Sequence, residues 1–388
     1  MLIARAPVRI SLAGGGTDLP AYYNQFGGLV INTTIDKYFY VFLRAFSGGE
    51  SLQIASSDYS TFYRQDATAA VEDAPLEGTL LLPRTILRYF GVENGLSMFL
   101  ASEIPPGTGL GSSSTVTVAI IKALSTALGQ QFSKAELAEL ACQIEIEEMG
   151  MPIGKQDQYA AAFGGLNEIE FTAQGCRVMP LDVSWETSQR LQENLMLFFT
   201  GHARNSADIL KEQTQASKQS SSGTVEALHR VKAMVADVRQ SFVSGDLCAF
   251  GELLHENWIQ KKRFAPGVSN SLIDQSYETA RALGAVGGKI TGAGGGGFLM
   301  LYCERPHQPA VTAALESLGL LRMDFRFDST GARVLMNAGL RLPVAVPLHS
   351  NGQPGGLARS AAWQDRPVAG ANAQVRPASA VASIDLSR

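Results

Sequence analysis

The chain has 388 residues, a formal net charge of −4 and 18% charged side chains. That length accommodates two domains with separate cores, and the mildly acidic balance leaves no basic footprint for nucleic acid. No apolar run approaches the roughly eighteen residues of a membrane helix, and residues 1–7 lack the charged-then-apolar layout of a signal peptide. A cytoplasmic monomer or homodimer is expected. Cys142, Cys176, Cys248 and Cys303 form no CxxC pair, and no HExxH occurs. Free thiols are expected, and zinc is not.

In chain order, residues 8–12 read as a strand running into the turn Gly14-Gly15-Gly16, and residues 29–43 as one or two strands rich in β-branched and aromatic side chains. Residues 97–101 form a short strand before a Pro-Gly loop. Residues 115–128 are apolar nearly all round, the mark of a buried helix. Ser133 and Glu136 make a capping box. It opens a helix to about Met149, with Leu137, Leu140, Ala141 and Ile144 on one stripe, broken by Gly150, Pro152 and Gly154. Residues 166–171 and 195–200 read as strands.

Residues 205–223 are polar and Ser/Gln-rich, which predicts a mobile lid or loop. From Val225 the pattern is helical, with Leu228, Val231, Val235, Val238 and Phe242 on one stripe. Helices over 247–263 and 271–283 follow. A glycine run, 292–297, leads into a buried strand over 298–302, and a helix and two strands end near Met336. Past Leu342 Pro, Ala, Gly, Ser and Gln dominate and periodicity is lost, which predicts a disordered tail. The expected division is 1–190, 191–340 and a tail of 341–388.

Four islands carry chemistry. The first is Pro106-Gly107-Thr108-Gly109-Leu110-Gly111-Ser112-Ser113-Ser114, where glycines let backbone approach an anion and hydroxyls stand at a helix start. Helix starts have unpaired N–H groups and partial positive charge, so phosphate suits this place. A plain Gly-rich turn with a Ser cap suits it too. No Lys follows the glycines, so it is not a Walker-type P-loop. The second, residues 7–18, sends Arg9 along a strand and presents Gly16, Thr17 and Asp18 from a turn. A carboxylate there can accept two sugar hydroxyls, or simply cap the turn.

The third is EIEEMGMPIGKQDQ, residues 145–158. Glu145 lies four residues after Ala141, where a carboxylate could aim inward at a metal, although Glu145, Glu147 and Glu148 also suit a solvated helix face. Asp157, in a glycine-flanked loop, could orient a hydroxyl and take its proton with Arg9 nearby. The fourth, residues 287–297, literally contains GxGxxG, but a strand follows it instead of a helix, so the dinucleotide reading fails. Its glycines, Gly294 and Gly295 among them, suggest backbone pressed against a ligand or the first loop. Lys261-Lys262-Arg263 suits a helix C-terminus or an anion clamp. Arg204 is a further candidate for phosphate, and His202 reads as structural.

Taken together the islands resemble the GHMP superfamily of small-molecule kinases over about residues 3–336, with all three family signatures in order. The resemblance implies an α/β (α+β) two-domain fold with the active site in the cleft between domains, ATP and Mg²⁺ as cofactors, and a small-molecule acceptor. It places ATP phosphates on residues 107–114, and Mg²⁺ on Ser113 and Glu145, with Glu148 the alternative carboxylate. Asp157 takes the place of the catalytic aspartate, Arg9 that of the catalytic cation and Asp18 that of a sugar-binding Asp. Where galactokinases read GEHTD this chain has Gly14-Gly15-Gly16-Thr17-Asp18. LAGGGTD with GKQDQYAAAFGG resembles the heptose 7-phosphate kinase branch, which phosphorylates the anomeric hydroxyl of a seven-carbon sugar phosphate. A substrate already carrying phosphate would account for the spare cations Arg204, Lys261, Lys262 and Arg263, which would then meet the distal phosphate. A kinase for an octose phosphate, fucose or galactose, or a silent ATP- and sugar-binding regulator, are the alternatives.

Overall fold

The computed structural model describes residues 1–46, 51–57, 61–66, 80–201, 206–218 and 223–343. The β-branched and aromatic runs near the start, which fit a pleated half-buried surface, give most of the strands in the first part. In order these elements are β1 (Leu2–Ala13), α1 (Pro20–Phe26), β2 (Gly28–Ala45), β3 (Ser51–Ser56), β4 (Thr61–Asp66), α2 (Leu81–Tyr89) and β5 (Leu96–Ser102). Next come α3 (Ser112–Ala127), α4 (Lys134–Cys142), α5 (Gln156–Phe163), β6 (Leu166–Thr172), β7 (Gly175–Pro180), α6 (Trp185–Asn194) and β8 (Leu195–Phe199). The remainder holds α7 (Ser206–Lys218), α8 (Gly223–Ser244), α9 (Leu247–Lys261), α10 (Ser271–Ala282), β9 (Ala285–Ile290), β10 (Phe298–Cys303), α11 (Gln308–Ser317), β11 (Leu321–Met323), β12 (Phe327–Asp328) and β13 (Arg333–Asn337).

Among the described residues nine strands make one sheet along the path β13-β1-β2-β5-β3-β4, with β6 and β12 also paired to β2 and β7 to β6. β3 and β5 run parallel. A second, antiparallel sheet has the order β11-β8-β10-β9. Helix α3 lies against β1 and β2. Its Val118, Ile120, Ile121 and Leu124 are fully buried, which is why its sequence is apolar on all sides. The first half of β1 (Leu2, Ala4, Ala6) feeds that core. The second half (Val8, Ile10, Leu12) feeds another, shared with Leu197 of β8, Phe242 of α8 and Met300 of β10. The change falls where the β1–β2 register breaks between Pro7 and Arg9. An irregularity of this kind bends a strand and re-aims its side chains.

The structure departs from the sequence reading in several places. Residues 206–218 are helical, not a loop: Ile209, Gln213 and Ser217 form the buried stripe, and two of those three are polar, which hid the period. The helix opened by Ser133 has its capping box, but its last turn, Gln143–Glu148, is π-helical. Asp157 stands in the first turn of α5, not in a loop. Three strands follow α11, and β12 and β13 return to β2 and β1. The last strands assigned to the second domain therefore complete the first sheet. Residues 344–388, most of the expected tail, lie outside the described residues. Among the described residues no helix is long and apolar enough to cross a membrane.

Candidate active site

Backbone contacts draw the glycine islands together. Arg9 N donates to Leu110 O at 3.1 Å, and Arg9 Nη1 donates to Gly109 O at 2.9 Å. From the other side, Phe298 N and the Thr291 hydroxyl both donate to Thr108 O at 3.3 Å. Gly292 has φ +61°, and a Cβ on it would come within 2.5 Å of the Gly109 Cα. Left-handed backbone and close approach together require glycine there. The fourth island thus buttresses the first.

A cavity of about 310 Å³ opens over this junction, within the size range of small-molecule sites. Pro106, Gly107, Gly109, Gly111, Ser112, Ser113 and Ser114 line one side. Gly111 caps α3 in the left-handed region (φ +78°), and a Cβ on it would meet the Asp157 carboxyl carbon at 3.0 Å. The first amides of α3 lack intrahelical acceptors, so its positive end is presented to the cavity. Leu110 departs from expectation. Its side chain is fully buried in the core shared by the two sheets and does not line the cavity, so its part is played by its backbone carbonyl.

Asp157 Oδ1 lies 2.6 Å from Arg9 Nη2, and both residues line the cavity. Glu145 is fully buried, accepting from the Ser113 hydroxyl at 3.3 Å and from Gln158 Nε2 at 2.8 Å. Burial, with a smaller push from Asp157, raises its carboxyl to about 7, despite hydrogen bonds that pull the other way. Glu148 is exposed, so Glu145 is the carboxylate that reaches the serine loop. The donors around Ser113 and Glu145 are hard oxygens of the kind a magnesium ion takes alongside phosphate and water. A buried carboxyl pushed up by desolvation also gains from a cation, so the residues fit such an ion. Among the described residues no group of three or more His, Cys, Asp or Glu converges.

Beside the start of α5, Asp18 accepts from Gly16 N at 3.0 Å and Gln156 N at 3.3 Å, and burial, then the Asp157 charge, raises its carboxyl above the usual range. Gly16 and Asp18 line the cavity. Thr17 does not: its hydroxyl donates to Gly14 O and Leu29 O and accepts from Leu29 N. It holds the turn instead of facing a ligand. Gly294 and Gly295 are also displaced from expectation, packing on the Val268 backbone, while Gly292 and Ala293 line the cavity. Arg204 and His202 lie outside the described residues.

The cationic run at 261–263 divides. Lys262 and Arg263 pair at the surface with Asp274 and Glu226. Lys261 is buried and lines the cavity. Sequence reading missed Lys289 and Asn257, which line it as well. They sit singly on β9 and α9, and only their burial marks them. It also missed an apolar end lined by Phe39, Leu80, Leu82, Pro83, Leu100 and Val116, which reads in sequence as ordinary core.

The chain is similar to known proteins over most of its length. The GHMP kinases N terminal domain profile matches residues 80–165, and the GHMP kinases C terminal profile matches residues 234–319. A D-glycero-alpha-D-manno-heptose 7-phosphate kinase from Campylobacter jejuni is 31% identical over 85% of this chain and 97% of its own length. An L-fucokinase/L-fucose-1-P guanylyltransferase from Bacteroides fragilis is 27% identical over 78% of this chain and 34% of its own. The solved structure of a D-glycero-D-manno-heptose 1-phosphate kinase from Bacteriodes thetaiotaomicron has a TM-score of 0.72 at 29% identity, covering 87% of this chain and 100% of that one. A Lactococcus lactis galactokinase complexed with galactose shares the fold, with a TM-score of 0.68 at 21% identity over 86% of this chain and 94% of its own.

Proposed function

This chain belongs to the GHMP kinase family, and on that premise we propose that it transfers the γ-phosphoryl group of ATP to the anomeric hydroxyl of D-glycero-D-manno-heptose 7-phosphate, giving the 1,7-bisphosphate. The observation that carries the reading is the Asp157–Arg9 pair, 2.6 Å apart and packed on the glycine that opens α3. It sets a base and a cation beside a phosphate-binding helix start.

In this reading the apolar end takes the adenine base, and residues 107–114 with the α3 amides hold the phosphates. Asp157 orients the acceptor hydroxyl and takes its proton, while Arg9 stabilises the alkoxide that develops. Asp18 accepts hydroxyls of the sugar, and Gly16 gives it room. Ser113 and Glu145 would hold Mg²⁺, whose chemistry is to neutralise charge on the transferring phosphates. Phosphoryl transfer depends mainly on positioning and charge neutralisation, so the site needs no nucleophile of its own.

The two heptose kinase relatives carry different names, one for the 7-phosphate and one for the 1-phosphate. The test is therefore turnover of purified protein with ATP, Mg²⁺ and a panel of heptose 7-phosphate, heptose 1-phosphate, fucose and galactose, read by phosphorus NMR. The expected product is a new anomeric phosphate from heptose 7-phosphate. Preference for another member of the panel, or phosphorylation at a non-anomeric carbon, overturns this assignment.

A further inference from the structure

Three buried cations line the cavity, and one of them has a carboxylate. Arg9 pairs with Asp157. Lys261 and Lys289, 7% and 2% exposed, form no ion pair among the described residues. Lys261 Nζ donates to the carbonyls of Ile290 and Gly292, each at 2.6 Å. Lys289 Nζ donates to Leu12 O at 3.3 Å and, more loosely, to Asn257 Oδ1 at 3.5 Å. An ammonium has three donors, so each lysine keeps one. Asn257, four residues before Lys261 on α9, shares its face. Having accepted from Lys289 through Oδ1, it still has an amide NH₂ to donate.

The position of this group points to the acceptor. Leu12 lies one residue before the end of β1, the strand that feeds the turn bearing Gly16 and Asp18, and a Cβ on Gly16 would meet Gln213 Nε2 at 2.8 Å and the Phe264 ring at 3.1 Å. Phe264 lies three residues past the end of α9, its amide donating to Lys261 O. The lysines therefore flank the sugar side of the cleft. The nucleotide side already has the α3 amides, and the Arg9 guanidinium, paired with Asp157, stands between the two sides.

Resting on the kinase reading, we propose that Lys261 and Lys289, with the Asn257 amide, form a second anion subsite that takes the phosphate already carried by the acceptor sugar. Burying ammonium groups without a counter-charge is costly, and a dianion supplies one. The same cause appears in their proton affinity. Burial, then the Arg9 guanidinium, lowers Lys289 to about 7, and burial with Lys289 and Arg9 holds Lys261 well below the ordinary range. A bound phosphate reverses both shifts.

The test compares heptose 7-phosphate with the same heptose lacking phosphate, in the unaltered protein and in Lys289→Met, Lys261→Met and Asn257→Ala. The lysine variants are expected to cut the kcat/KM preference for the phosphorylated sugar roughly 10- to 100-fold, with KM for ATP held within about twofold. An unchanged preference, or a KM for ATP rising in step, overturns the subsite, the latter reassigning the lysines to the nucleotide. A second measurement needs neither variants nor turnover. Titrating the unaltered protein with heptose 7-phosphate alone, by calorimetry near pH ~8 in buffers of different ionisation enthalpy, should show net proton uptake as Lys289 regains its charge. Absence of uptake overturns the proposal. If the unaltered protein phosphorylates no sugar phosphate, the heptose 7-phosphate assignment fails, and the uptake measurement still decides the subsite.

Discussion

The two walls of the cleft are charged by opposite means. On the α3 side the positive potential comes from backbone, namely a glycine loop and the first amides of a helix, and the buried side chain beside it is an acid, Glu145. On the α9–β9 side it comes from buried ammonium groups at Lys261 and Lys289. Backbone dipoles cannot be titrated away, whereas buried lysines hold their charge only against a desolvation penalty. One wall is thus fixed and the other answers to what is bound. Asp157 and Arg9 lie between them.

Breaking the middle of this arrangement should have the largest effect. Asp157→Asn keeps the shape against Gly111 but removes the base. It is expected to lower kcat by about 10²- to 10⁴-fold, with KM for ATP within a few-fold. A kcat above a tenth of the unaltered value would remove Asp157 from the chemistry. Glu145→Gln keeps the hydrogen-bonding shape toward Ser113 while removing the charge. A rise of roughly tenfold or more in half-saturating Mg²⁺ is expected, and an unchanged requirement would leave the ion to other groups.

How far each wall was legible in sequence follows from the same contrast. The backbone wall needs a contiguous run, because consecutive amides must turn toward one place, and residues 106–114 carry it openly. Arg9, Asp18, Glu145 and Asp157 were also readable, each set in a short motif near glycine or a helix start. The lysine wall draws single residues from α9 and β9, and a lone Lys289 before a glycine run looks like any strand residue. Lys261 was singled out with its neighbours Lys262 and Arg263, which turned out to pair at the surface. Thr17, Gly294 and Gly295 stand inside the right motifs but face away from the cavity, since a motif marks a stretch of chain and not the direction of each side chain. Helix α7 escaped because Gln213 and Ser217 fill buried positions that a hydrophobic pattern counts as solvent-facing.

The contrast also predicts opposite slopes of stability with pH for the ligand-free protein. Glu145 titrates near 7 when folded and near its ordinary 4.5 when unfolded. Between those values the folded state keeps a proton that the unfolded state has lost, so stability falls as pH rises through that window. Lys289 titrates near 7 when folded against 10.5. There the unfolded state holds the extra proton, and stability rises from pH 7 toward 10.5. Chemical denaturation across the range should show Glu145→Gln flattening the lower limb and Lys289→Met the upper one. A variant that leaves its own limb unchanged would show that its residue is not the source.

The smallest effect calibrates the others, because it lies away from both walls. Ser133 Oγ accepts from Glu136 N at 3.2 Å, and Glu136 Oε2 accepts from Ser133 N at 2.8 Å, closing the box that starts α4. Ser133→Ala leaves one helix amide without that acceptor and should reduce stability by about 1 kcal/mol. Glu145 lies in the π-helical turn that continues α4, so loosening the start of the helix could in principle disturb the acid. The packing argues against such transmission. Leu137, Ala138, Leu140, Ala141 and Ile144 are held in the core between the cap and Glu145, and a lost cap frays only the first turn. Ser133→Ala should therefore shift the denaturation midpoint with kcat, both KM values and the magnesium requirement unchanged. A change in magnesium requirement would show that α4 couples the cap to the acid wall.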